Sequence, residues 1–193
     1  MSLTGVAELI AERRRFVDTI ESLPEDEFES GRTLCVNWAP RDVLAHVVGV
    51  DRPTAYLRFA GRVNAANAAV VSASRVRTRA ELLTAARSWA DRPSASSRAA
   101  AHFLVGDVAM HHQDVLRGLG RTREIPPDAA AAMFREGIVL STGTKRNLLR
   151  YKVIPSTPGG FPVGRGRTVR GTTEALALWL AGRKGVDREL QFS

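Results

Sequence analysis

Apolar residues recur with helical spacing at Val6, Leu9, Ile10, Phe16, Val17 and Ile20. That period predicts an amphipathic helix over 4–22. Leu23-Pro24-Glu25-Asp26 ends it, and a short turn is expected over 25–28. Residues 29–38 have no period and read as a loop that holds Cys35 and Trp38. Pro40 suits the first turn of a second helix, where a missing N–H is harmless, and Val43, Leu44, Val47 and Val48 supply its apolar face. Pro53 is expected to kink that helix, with a continuation through Tyr56, Leu57 and Phe59. Thr78-Arg79-Ala80-Glu81 is a capping box and opens a third helix over 79–90. A fourth, long helix is predicted from Ser94 to Leu119, with Gly120 as its stop. Pro127 and Asp128 open a fifth, to Leu140.

After Ser141 the pattern changes. Residues 148–154 and 167–169 read as strands, the Pro/Gly-rich stretch 155–166 joins them, and a last helix is expected over 173–183. The chain is therefore predicted to be mainly α: a helical bundle over 1–141 followed by a small α/β appendage over 142–193.

Composition narrows the function classes. The chain has 193 residues, which suits one domain, or one domain with an appendage. Cysteine occurs once, so there is neither a disulfide framework nor a Cys-rich zinc module. No run reaches the roughly 18 apolar residues of a membrane helix. The charge near the N-terminus follows the apolar stretch instead of preceding it, unlike a signal peptide. A cytoplasmic protein with no membrane partner is expected, as a monomer or homodimer. The net charge is +8, and 25 of the 28 basic residues are Arg. Basic clusters occur at Arg13–Arg15, at Arg75, Arg77 and Arg79, over 145–152 and over 165–170. A nucleic-acid surface needs such charge on one face with stacking aromatics. Aromatics are 6% here, so nucleic acid is not an expected partner and the clusters read as solvated surface. The same positive field suits a small acidic substrate.

Asp107 and His111 are four residues apart on the fourth predicted helix and so lie side by side. Their surroundings are apolar: Leu104, Val108 and Val115, with Phe103 and Met110. A carboxylate there is costly unless it is paired or ligates a metal. His46 has a similar setting between Val43 and Val50 on the second helix. In a bundle, the middles of two helices can meet, and His46, Asp107 and His111 can converge as a core metal site. Two His and one carboxylate leave an open position on Zn²⁺, the catalytic pattern, and the set also suits Fe²⁺ or Ni²⁺. The plainer alternatives are a surface Asp–His helix pair and a core histidine bonded to a carbonyl. Asp114, one turn after His111, can orient a ligand histidine or pair with Arg117 or Arg41; His112 reads as a supporting or packing residue. Cys35 has no nearby His in sequence and reads as an inert thiol. No P-loop, nucleophile elbow or dinucleotide fingerprint is present.

Three stretches carry a resemblance. They are Thr33-Leu34-Cys35-Val36-Asn37-Trp38, Arg41-Asp42-Val43-Leu44-Ala45-His46, and Asp107-Val108-Ala109-Met110-His111-His112-Gln113-Asp114-Val115. In order and spacing they resemble the DinB-like four-helix metalloproteins, in the branch of mycothiol-dependent maleylpyruvate isomerases and related thiol transferases. The ending Val169-Arg170-Gly171 and Ala175 to Arg183 is similar to the end of that family's small second domain. The resemblance implies a DinB-like four-helix bundle, His46, Asp107 and His111 as ligands of a divalent metal, usually zinc, and mycothiol as the thiol that the metal activates toward a small electrophilic substrate. Asp107 stands where the family has Glu, and Val36-Asn37 where it has Pro-Gly. A non-catalytic metal-binding protein and a metal-dependent hydrolase using bound water are the rival readings on the same bundle.

Overall fold

The computed structural model describes residues 5–51 and 63–193. The kink expected at Pro53 and the continuation through Tyr56, Leu57 and Phe59 lie outside the described residues. Two compact units emerge. One comprises residues 5–101 and 111–122, the other 102–110 and 123–193.

The first unit is helical: α1 (Val6–Glu21), α2 (Glu25–Ser30), α3 (Pro40–Val50), α4 (Val63–Ser74), α5 (Arg79–Asp91), α6 (Ala95–Ala99) and the C-terminal part of α7 (Ala101–Gly118). Leu9, Phe16, Val17 and Ile20 of α1 are fully buried, as the spacing predicts. Helix α1 packs on α5, and α3 packs on α4 and α5. Helix α4 was not foreseen. Its Ala-rich sequence has no apolar stripe, and it serves instead by being slim. A Cβ on Gly49 of α3 would come within 2.3 Å of Val70 Cγ1, so the two helices cross closely.

The predicted fourth helix is broken at Ala100 into α6 and α7. The cause is polar. Ser94 Oγ caps α6 by accepting the Ser97 N–H at 3.1 Å, and the buried Ser97 hydroxyl accepts from Arg13 Nη2 at 3.2 Å. Gly120 does end α7, at φ +70, and the Arg121 and Gly120 amides close back on the Leu116 and Arg117 carbonyls. This is the Schellman pattern.

The capping box on α5 is present. The Thr78 N–H donates to Glu81 Oε2 at 2.8 Å, and Thr78 Oγ1 accepts the Glu81 N–H at 3.3 Å. Thr78→Ala should cost about 1 kcal/mol of stability, readable by thermal denaturation. The Thr78 backbone N–H, then its hydroxyl, holds the Glu81 carboxyl below its usual range. A lowered carboxyl pKa stabilises above the unfolded value, so this contribution should fade as pH falls through the folded one.

The second unit contains the N-terminal part of α7, α8 (Pro127–Leu140), a four-stranded sheet and α9 (Thr173–Leu180). A Cβ on Gly106 would strike the Ala132 carbonyl oxygen, and one on Gly137 that of Ala177, so α7, α8 and α9 pack at close range. The sheet order is β2 (Val163–Gly164), β1 (Tyr151–Pro155), β3 (Arg167–Gly171) and β4 (Gln191–Phe192). β1 and β3 are parallel, with the buried pair Val153 and Val169 in register. β2 and β4, two residues each, are too short to leave a period in the sequence. Helix α9 ends three residues earlier than its pattern suggests, because Gly182 turns left-handed at φ +86 and Arg183 N–H returns to the Leu178 carbonyl. No helix among the described residues is long and apolar enough to cross a membrane.

Candidate metal centre

The loop between α2 and α3 is laid along the end of α7. Gly118 permits this: a Cβ there would lie 2.3 Å from the Arg32 carbonyl oxygen and from Thr33 Cα. The Leu34 N–H then donates to the Asp114 carbonyl at 3.0 Å. Thr33 Oγ1 accepts the Cys35 N–H and donates to the Trp38 carbonyl, which closes the loop on itself. Cys35 to Trp38 is a turn, with the Trp38 N–H on the Cys35 carbonyl at 3.2 Å and Asn37 at φ +65. A positive φ at the third turn position calls for Gly or Asn. Val36-Asn37 therefore keeps the turn that Pro-Gly would make. Asn37→Val should cost about 1–2 kcal/mol, the penalty for a side chain forced into the left-handed region, and Asn37→Gly should be neutral or stabilising; melting curves of both variants check this.

Pro40 opens α3, and the N3 residue Asp42 accepts the Ala39 N–H at 3.1 Å. His46 follows one turn later and is 5% exposed. Its ring lies 4.8 Å from that of His111, edge to face, and 5.0 Å from Trp38. Asp107 precedes His111 by one turn of α7. One ligand atom from each of His46, Asp107 and His111 lies within 4.8 Å of the other two. Ligand atoms on one tetrahedral zinc sit about 3.4 Å apart, against the 4.8 Å that bounds this group. Two imidazoles and a carboxylate are a chemically apt set for a divalent metal.

Asp114 is fully buried, and its Oδ2 lies 2.9 Å from His111 Nδ1. Cys35 is brought to the same carboxylate: its thiol donates to Asp114 Oδ2 at 3.1 Å and lies 3.6 Å from His111 Nδ1. Sequence separation hid this contact. Arg41 is engaged elsewhere, with Glu29 and the Ser74 and Arg77 carbonyls.

His112 points toward α1. Its Nε2 lies 2.8 Å from Thr19 Oγ1 and its Nδ1 3.3 Å from the fully buried Glu12, while its ring edges against Phe16. Glu12 also pairs with Arg15. Beside it, Arg13 is buried and bridges Asp51, Ser97 and the Trp89 carbonyl. The sequence did hold a signal for these two residues. The apolar stripe of α1 steps from Leu9 to Phe16, and positions 12 and 13 fall in the gap on that same face. A charged pair there is buried, not solvated.

No protein-family model matches the sequence, and no curated protein matches it. Solved structures do. The chain superposes over its full length on the mycothiol-dependent maleylpyruvate isomerase, covering 96% of that chain with a TM-score of 0.60 at 14% identity. It superposes equally on a histidine-to-alanine mutant of that isomerase, with a TM-score of 0.61. The fold is thus the mainly helical DinB-like fold of that isomerase, ending in a small α/β part, as expected.

Proposed function

We propose that the protein is a metal- and thiol-dependent isomerase or transferase acting on a small electrophile, with a low-molecular-weight thiol of the mycothiol type as cosubstrate. The convergence of His46, Asp107 and His111 donor atoms within 4.8 Å carries this reading. The likeness in fold to the mycothiol-dependent maleylpyruvate isomerase supports it.

In this reading the three residues hold a divalent ion, with zinc the first candidate. The ion supplies Lewis acidity, under which a coordinated thiol is deprotonated near neutral pH. The chain's own residues prepare the site. Asp114 holds a proton on His111 Nδ1 and so presents Nε2 as the ligand atom. Trp38 packs against both imidazoles and limits their rotation. The Glu12–His112–Thr19 network fixes α7 against α1 next to the ligand His111. We place the reaction in the cytoplasm, where small thiols are kept reduced.

The test is metal content by elemental mass spectrometry, followed by turnover of a panel of electrophiles, including cis-enoyl acids, with and without mycothiol. About one ion per chain and strictly thiol-dependent turnover are expected. Turnover without thiol would instead favour a hydrolase, and stoichiometric metal with no turnover a binding protein.

A further inference from the structure

We propose that Cys35, His111 and Asp114 form a second metal seat, one with a sulfur ligand, suited to soft divalent ions such as Cd²⁺. It does not rest on the catalytic reading above, because it uses neither His46 nor Asp107. All three residues belong to the first unit.

The geometry is close to what one ion requires. Cys35 Sγ lies 3.6 Å from His111 Nδ1 and 3.1 Å from Asp114 Oδ2, and those last two atoms are 2.9 Å apart. Tetrahedral zinc with bonds of about 2.3 Å to sulfur and 2.05 Å to nitrogen or oxygen would set S···N near 3.6 Å, S···O near 3.6 Å and N···O near 3.4 Å. The first distance already fits, and the other two need the carboxylate to recede by about 0.5 Å. An open coordination position would remain, since these are three ligands.

Charge also favours this seat. Binding through His111 Nδ1 expels the Cys35 thiol proton to solvent and moves the imidazole proton from Nδ1 to Nε2, leaving a thiolate, a neutral imidazole and a carboxylate. Together they neutralise a dication, which matters where Asp114 is fully buried and His111 is 7% exposed. The His46, Asp107 and His111 set brings only one negative charge. Thiolate further selects soft ions, whereas imidazole and carboxylate take borderline ones. Cys35 is half-buried and its neighbour Val36 is 70% exposed, so the sulfur side of the seat is the side nearest solvent.

The two seats share His111. One imidazole could serve both only as a bridging imidazolate with no N–H left, so an ion in one seat disfavours an ion in the other.

Titration of the full chain with Cd²⁺ alone tests this, read by ultraviolet sulfur-to-metal charge-transfer absorption. The wild type should show the band, saturating at one equivalent. Cys35→Ser should abolish it while leaving the melting temperature of the apoprotein unchanged, and His46→Ala should retain it in full. No band in the wild type overturns the proposal. So does loss of the band in His46→Ala, which would make Cys35 an accessory to the His46 site. Because the His46 variant keeps the band here and loses thiol-dependent turnover in the catalytic reading, the two readings fail separately.

Discussion

Replacing His46 by alanine in a Cys35→Ser background should lower the zinc content of the protein from about one ion per chain to background and remove thiol-dependent turnover with it. His46 supplies one of three donors, and it alone comes from a helix other than α7. Without it, Asp107 and His111 remain as a two-donor pair one turn apart, a poor chelate in competition with water. The fold should survive. Deleting a buried imidazole leaves a cavity beside Trp38, and such changes cost about 1–3 kcal/mol, against a total stability of about 5–15 kcal/mol. Circular dichroism of the variant separates loss of metal from loss of fold. Asp107→Ala should behave alike, whereas Asp107→Glu lengthens the carboxylate by one methylene and should retain the ion. Metal bound at full stoichiometry by the double variant would remove His46 from the site, and full activity in a metal-free variant would remove the metal from the chemistry.

Much of the scaffold was legible because it is written in local patterns. The capping box at Thr78 and Glu81, Pro40 at the start of α3, Pro127 at the start of α8 and Gly120 after α7 each act on a neighbouring backbone. Helix α4 was not legible, since small residues that allow close crossing leave no stripe. Nor was the break at Ala100, which depends on Arg13 reaching Ser97 across 84 residues. The same distinction holds at the site. Asp107 and His111 announce themselves by spacing along one helix. Cys35 joins His111 and Asp114 only because Gly118 lets the Arg32–Thr33 backbone lie against α7, and nothing near Cys35 in the sequence hints at that.

In the first basic cluster Arg14 is exposed and Arg15 partly so, as expected of solvated surface, whereas Arg13 is buried. Arg13, Arg14 and Arg15 look like one patch, yet each has its own acid: Asp51, Asp91 and Glu12. Arg79 pairs with Glu25, and Arg87 with Glu21 and Asp18, whose carboxylates push its pKa still higher. Arg13, Arg14, Arg15 and Arg79 are thus each paired with an acid of the helical unit.

Arg13→Met should therefore be among the most damaging substitutions outside the metal ligands, at about 3–5 kcal/mol, the range for breaking a buried ion pair from one side. Arg13 is 1% exposed, bridges both oxygens of Asp51 at 3.0 and 3.2 Å, donates to the Trp89 carbonyl at 2.9 Å and to Ser97, and lies 4.3 Å over the Trp89 ring. One guanidinium thus joins α1, the end of α3, α5 and α6. Methionine fills a similar volume but leaves Asp51, only 12% exposed, as a carboxylate without its cation. For a chain of this size the melting temperature should fall by about 10 °C. Asp51→Asn in the same background removes the stranded charge and should recover part of the loss, which makes the double-mutant cycle diagnostic. If Arg13→Met instead melted within a degree of wild type, the buried guanidinium would be a passenger of the packing, and the gap in the α1 stripe would need another explanation.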